Sequence, residues 1–347
     1  MTRHATVLAL AAFAATITAA ALGSTAHATI DPRLSWMPPT AAGMTTVWVP
    51  PTGLDATLDV TKDYELVFPG RANHLGVTSP YPAQPVTPKA GAGCVRVDGG
   101  RIVQIIGGEC LIPPQPTPYN SRTRRCFAFN DVRYLLFVEG VWCHGDVLDG
   151  IEMFAGGGAT GATIEIQRSR FEGISARDED LFTDGHPDGI YLSGAGPTPG
   201  ARQVRIDRVT VVSDYQAFLF GHPTSGVGAN YPVTLWNSNA RGTAIPGNHY
   251  AQLLWRADPA NRLSLSNVYL EPQVLGSGAR EPLIKTVAPG DVDPVVEARA
   301  FSVDLLTVGW PAAANIAGVV KAGPPPDGDY CPVGCAGAGY VSPGYRS

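Results

Sequence analysis

The sequence predicts an all-β chain wound as a right-handed parallel β-helix, a single-stranded solenoid of about six to eight coils. Three observations carry that expectation. Short alternating apolar–polar runs recur: Ile102-Val103-Gln104-Ile105, Leu135-Leu136-Phe137-Val138, Ile164-Glu165-Ile166-Gln167, Val204-Arg205-Ile206-Asp207, Val233-Thr234-Leu235-Trp236 and Leu263-Ser264-Leu265-Ser266, with starts 33, 29, 40, 29 and 30 residues apart. A second short apolar run follows most of them, at Ile151-Glu152-Met153-Phe154, Ile190-Tyr191-Leu192, Phe218-Leu219-Phe220 and Leu253-Leu254-Trp255. The chain carries 40 Gly and 31 Pro and no amphipathic stripe of a dozen residues, so turns are many and long helices are not expected. A lone thirty-residue unit cannot bury its apolar faces, and stacking such units solves the problem. Parallel crossovers are overwhelmingly right-handed.

In chain order, residues 1–28 read as an export signal. Arg3 and His4 form a polar head, Val7 to Leu22 is uncharged and apolar, and Ala26-His27-Ala28 is a small-x-small cleavage site. Secretion follows, and with it no membrane association once the signal is removed. Cleavage removes one Arg and no acid, moving the formal charge from −5 to about −6. An acidic secreted chain is a poor nucleic-acid binder. Residues 29–93 form an N-terminal cap or first coil, with Val47-Trp48-Val49, Leu58-Asp59-Val60 and Tyr64-Glu65-Leu66-Val67 as strands. Residues 94–322 form the β-helix proper. There alternation sends Ile164, Ile166, Val204 and Ile206 inward, and Glu165, Gln167, Arg205 and Asp207 to solvent. Asn237 and Asn267 share one repeat position and could begin an amide ladder. Residues 323–347 are a Gly/Pro-rich tail, loosely ordered apart from its Cys loop.

Six cysteines in an exported chain point to disulfides. Cys94 precedes Cys110 by 16 residues and Cys126 precedes Cys143 by 17, with the two blocks 32 apart, so equivalent cysteines fall in one column. Parallel strands about 4.8 Å apart suit a bridge between coils. Cys94–Cys126 and Cys110–Cys143 are therefore expected, with pairing inside a coil as the rival. Cys331–Cys335 closes a small loop.

The element His186-Pro187-Asp188-Gly189-Ile190-Tyr191, set among these repeats, resembles the pectin-lyase-like superfamily of secreted bacterial β-helix proteins. The resemblance spans roughly residues 90–275. It implies the β-helix architecture and a choice among polysaccharide lyase, glycoside hydrolase, epimerase and no activity. In lyases of that kind Ca²⁺ and a basic residue share the removal of a proton beside a carboxylate. The Asn-Thr-Asp and Arg-Ile-Lys signatures of polygalacturonase-like hydrolases are absent.

One coil is about ten residues longer than its neighbours, and the extra residues, Ser175 to Pro187, are dense in charge. Insertions into a repeat often line a binding face. Asp188-Gly189-Ile190 answers Asp149-Gly150-Ile151 one coil earlier, so the two aspartates should stack. Two stacked carboxylates repel, and one titrates high or a cation sits between them. Asp149, Asp184, His186 and Asp188 are the candidate catalytic residues, with Asp146 beside them. Asp149 and Asp188 are the candidate calcium ligands, or the acid and base of a glycosidase. Tyr191 and Glu152 share an outer face beside them, and Arg205 points outward near the long coil. These three are the candidate contacts to a polysaccharide, Arg205 as a fork for an acidic sugar. The alternative is structural: Pro-Asp-Gly is also a turn sequence. A secreted carbohydrate-active enzyme acting in a groove beside the long coil is expected, with a non-catalytic adhesive solenoid as the alternative. Unpaired acids in an open groove would favour the first. Acids bonded within a corner would favour the second.

Overall fold

The computed structural model describes residues 34–89, 93–114, 124–154, 162–175, 187–193, 201–221, 231–242, 252–256, 263–271, 284–287, 320–322 and 325–344. Among them are strands and no helix. The strands are β1 (Thr45–Trp48), β2 (Leu54–Leu58), β3 (Asp63–Val67), β4 (Val95–Gly99), β5 (Ile102–Ile112), β6 (Arg125–Asn130), β7 (Leu135–Gly145), β8 (Asp149–Phe154), β9 (Ala162–Gln167), β10 (Arg170–Ile174), β11 (Asp188–Ser193), β12 (Ala201–Asp207), β13 (Thr210–Ser213), β14 (Gln216–Phe220), β15 (Val233–Trp236), β16 (Asn239–Gly242), β17 (Leu253–Arg256), β18 (Leu263–Ser266), β19 (Val268–Leu270), β20 (Ile284–Val287) and β21 (Val320–Ala322). The expected strand at Leu58-Asp59-Val60 ends at Leu58.

These strands form two sheets. One runs β2-β4-β6-β8-β11-β14-β17-β20, and the other joins the remaining thirteen strands. The pairings seen between strands are parallel and link segments that the repeat aligns, for instance Ile151↔Ile190, Ile190↔Phe218 and Phe218↔Leu253. A parallel neighbour must come from a segment many residues away, which is why a period of about thirty residues leads to this pairing. The interior is a continuous apolar cluster built from both sheets, including Val97, Ile105, Phe127, Phe129, Ile151, Phe171, Ile190, Val211 and Phe218. Each such side chain contributes on the order of 1.5–3 kcal/mol by leaving water.

One register differs from the expectation. Leu136, rather than Leu135, lies opposite Ile164. Although grouped with the alternating runs, Leu135-Leu136-Phe137-Val138 is apolar throughout, so it carries no alternation from which its facing could be read.

A column of left-handed residues bends the larger sheet. Gly107 and Gly140 have φ of 65° and 69°, and Arg168, Arg208, Asn237 and Asn267 have φ of 51°, 52°, 39° and 53°. The strand registers place these six one above another. Beyond the bend the chain continues as the second half of β5 or β7, or as β10, β13, β16 and β19. Gly and Asn tolerate this conformation, whereas the two arginines adopt it at a cost of roughly 1–2 kcal/mol each. The expected amide ladder forms within the column: Asn267 Nδ2 donates to Asn237 Oδ1 at 3.0 Å, and Asn237 Nδ2 to Asp207 Oδ1 at 2.8 Å.

The cysteines pair differently from the leading expectation. The structure bridges Cys94 to Cys110 and Cys126 to Cys143, each with Cα atoms 6.0 Å apart, in place of Cys94–Cys126 and Cys110–Cys143. The columns themselves are as expected, since Cys110 lies opposite Cys143. Residues in one row of a parallel sheet point the same way, with Cβ atoms held near the strand spacing rather than the roughly 3.8 Å a disulfide needs. Cys94 and Cys110 instead approach from different sheets inside the core, and so do Cys126 and Cys143. Cys331 and Cys335 are bridged, closing a short loop.

The outer face is less exposed than alternation implied. Glu139, Gln167 and Asp207 are fully buried. An N-terminal strap covers them: Ser35 Oγ donates to Asp207 Oδ2 at 2.5 Å, and Gln167 Nε2 donates to the Trp36 carbonyl at 2.8 Å. The C-terminal tail, expected to be loose, packs across the same sheet over residues 325–344. Tyr340 Oη donates to Glu139 Oε1 at 2.6 Å. Arg170 Nη1 donates to Asp329 Oδ2 at 3.0 Å and to the Cys331 carbonyl at 2.9 Å. Burial pushes the Glu139 carboxyl above its ordinary range, against hydrogen bonds from Ser342, Tyr340 and Gln167.

The expected export signal, residues 1–28, lies outside the described residues. Among those described, no helix is long and apolar enough to cross a membrane. Disulfides between the sheets fit an oxidising compartment.

Candidate functional site

Asp149 and Asp188 each open a strand of the smaller sheet, and the register sets them side by side. Arg125 lies opposite Asp149 on the other side, and Gln216 lies opposite Asp188. The row therefore reads Arg125, Asp149, Asp188, Gln216. The stacking of the two aspartates was legible in the repeated Asp-Gly-Ile.

Their exposure was not. Asp149 is 1% exposed and Asp188 0%. Both stand two residues before core side chains, Ile151 and Ile190, and so share the inward parity of those strands. The glycines that follow have a packing reason. A Cβ at Gly150 would lie 2.7 Å from the Phe171 ring, and one at Gly189 would lie 2.7 Å from the Ala217 carbonyl oxygen. Glycine after each aspartate is thus required by the close approach of neighbouring strands.

A guanidinium holds the acids. Arg125 Nε donates to Asp149 Oδ2 at 2.8 Å, and Arg125 Nη1 lies 2.8 Å from Glu152 Oε2. Asp149 Oδ1 accepts from the Asp188 backbone N–H at 3.2 Å. Burial pushes the Asp149 carboxyl above the ordinary aspartate range, against the pull of Arg125. Burial works against the Arg125 charge in turn, but Asp149 and then Glu152 outweigh it and hold the guanidinium above its ordinary value. Arg125 supplies at Asp149 the positive charge that calcium was expected to supply. Among the described residues, no three acidic, His or Cys side chains converge as metal ligands.

Next to it, Arg124 is fully buried and ties down the corner. Its Nη2 pairs with Asp146 Oδ1 at 3.0 Å and donates to the Ser175 carbonyl at 2.9 Å, while its Nε donates to the Asp146 carbonyl at 3.2 Å. Ser175 is the first residue of the long insertion, so Arg124 anchors the point where that segment begins. Sequence reading marked neither arginine. The signal was there: Arg124-Arg125 directly precedes Cys126, and carrying the Cys column one parallel strand onward brings Arg125 to Asp149.

The remaining candidates separate. Asp184 and His186 lie outside the described residues. Glu152, expected on an exposed face, is buried, while Tyr191 opposite it is half-buried. Arg205 is in the larger sheet, not beside the aspartates, and its Nη1 pairs with Glu165 Oε1 at 3.0 Å, its own row neighbour. Elsewhere on the outer face, Trp36 stacks on Trp236 with ring centroids 6.3 Å apart, and Trp236 is 38% exposed. His144 stacks on Trp142 at 4.1 Å and its Nε2 lies 3.1 Å from Glu109 Oε1.

No protein-family model, curated protein or solved structure matches this chain.

Proposed function

We propose that this chain is a secreted right-handed parallel β-helix of the pectin-lyase-like kind, with about six to eight coils, that binds polysaccharide on its outer face without cleaving it at the Asp149–Asp188 row. One observation carries the choice of binding over cleavage. A general acid or base must come within hydrogen-bond reach of the proton it moves, and Asp149 and Asp188 are 1% and 0% exposed, with Asp149 neutralised by Arg125. Their role is to lock the corner from which the long insertion departs. The stacked Trp36–Trp236 pair offers an aromatic surface of the kind on which a sugar ring stacks. A polysaccharide lyase or glycoside hydrolase is the second reading. It is favoured by the raised Asp149 carboxyl at the base of the long coil, since perturbed acids cluster at functional sites.

The test is a panel of neutral and acidic polysaccharides, scored for retention in affinity gels and for products by reducing ends and by the ultraviolet absorbance of unsaturated ends. Retention without products, weakened by Trp236→Ala, supports binding. Products that disappear in Asp188→Asn overturn it in favour of cleavage. Retention of no glycan at all overturns both readings.

A further inference from the structure

A second site lies away from the aspartate row, where the N-terminal strands meet the C-terminal tail. There a cavity of about 270 Å³ is lined by Glu65, Arg71, Gln104, Ile106, Tyr340 and Val341, among others. Its floor is the outer face of β3 and β5, where Glu65 and Gln104 are row neighbours. Val341, which is 80% exposed, stands at its rim.

Gln104 is 2% exposed, and its Oε1 has no hydrogen-bond partner among the described residues. A buried amide oxygen left unpaired is costly, and native structures seldom keep one without a reason. It asks for a hydroxyl or N–H donor from whatever enters the cavity. Arg71 stands on the opposite need. Its guanidinium lies flat over Gly107, where a Cβ would sit 2.8 Å from Cζ, so the absent side chain makes its room. Nη1 donates to the carbonyls of Ala338, at 3.0 Å, and Tyr340. Nη2 and Nε make no hydrogen bond among the described residues and remain available to an oxygen acceptor.

Glu65 supplies the opposite charge, with its carboxylate engaged by Thr46 Oγ1 at 2.6 Å, by the His74 backbone N–H at 3.1 Å and by the His74 ring. Arginine and glutamate together leave the lining formally neutral, which disfavours a net anion. Ile106 and Val341 add apolar surface. The volume lies just below the roughly 300–1,000 Å³ of drug-sized sites, which suits one ring and no more. A hydroxyl is both the donor that Gln104 lacks and the acceptor that Arg71 lacks, and a ring bearing several has C–H faces for the apolar wall.

We infer that this cavity binds a single neutral hexose-sized polyol, with Gln104 Oε1 accepting from one hydroxyl and Arg71 donating to another. The proposal does not rest on the polysaccharide reading of the outer sheet.

The test titrates the mature full-length chain with glucose, galactose, mannose and galacturonate, by calorimetry and by ligand-observed NMR. At least one neutral hexose should saturate, with Kd on the order of a millimolar, and galacturonate should bind more weakly. Gln104→Leu should weaken that hexose by about tenfold without lowering Tm, because it removes an unpaired buried acceptor. Ala72→Trp, which fills the cavity from an exposed lining position, should abolish binding. The proposal is overturned if no hexose saturates the parent, if galacturonate binds more tightly than every neutral hexose, or if either folded variant binds with unchanged affinity.

Discussion

Arg125→Met isolates what the buried arginine does. The substitution keeps most of the aliphatic stem and removes the guanidinium that lies 2.8 Å from both Asp149 and Glu152. Removing one partner of a buried ion pair costs about 3–5 kcal/mol, because the other charge stays buried without compensation. The Arg125 side chain keeps 22% exposure, so screening reduces this, and about 3 kcal/mol is expected at neutral pH. The dependence on pH gives a second readout. The Asp149 carboxyl is already held above its ordinary value by burial, and Arg125 is the largest influence pulling it down. Without Arg125 it rises further. A carboxyl with a raised folded pKa penalises the native state above that pKa, and the penalty fades as pH falls towards the unfolded value of about 3.9. The gap between parent and variant should therefore narrow from pH 7 to about pH 4.5. Urea unfolding at both pH values measures it, with the triple variant Arg125→Met, Asp149→Asn, Glu152→Gln as control, in which most of the loss should be recovered. A loss below about 1 kcal/mol at pH 7, or an equal loss at both pH values, would refute the argument.

Two further outcomes follow from the same packing. Peptide mapping under non-reducing conditions should recover Cys94 linked to Cys110 and Cys126 linked to Cys143, and the double variant Cys126→Ser, Cys143→Ser should lose about 3 kcal/mol in denaturant unfolding; recovery of a Cys94–Cys126 peptide would contradict the structure. Tyr340→Phe should cost about 1–2 kcal/mol at pH 7 by depriving the buried Glu139 of a donor. Because burial already raises the Glu139 carboxyl, that cost should shrink in mild acid, and hydrogen exchange should quicken across residues 325–344; unaltered exchange there would count against the tail being held by this bond.

Strand positions and rows were readable because parity and period act locally: Ile190 over Ile151 and Asp188 over Asp149 follow from counting. What counting leaves out is cover. Gln167 has the outward parity that its sequence shows, yet it is buried by Trp36, 131 residues earlier, and Glu139 is buried by Tyr340, 201 residues later. No periodic signal encodes those contacts. The cysteines show a different limit. Both pairings use the same two columns, and only the direction of the Cβ vectors decides between them. Leu135 shows a third, since an all-apolar run has two equivalent facings. At the candidate site, the aspartate row was legible while Arg124 and Arg125 were passed over, because an arginine pair at the start of a strand resembles a solvated turn until the neighbouring strand is laid beside it.

The placement of residues 325–344 has a bearing on how the molecule matures. Its Tyr340 follows Glu139 by 201 residues and its Asp329 follows Arg170 by 159, so both are synthesised long before the partners that cover them. Until that stretch arrives, the strands bearing Glu139 and Arg170 stand uncovered, with the acid and the guanidinium open to water.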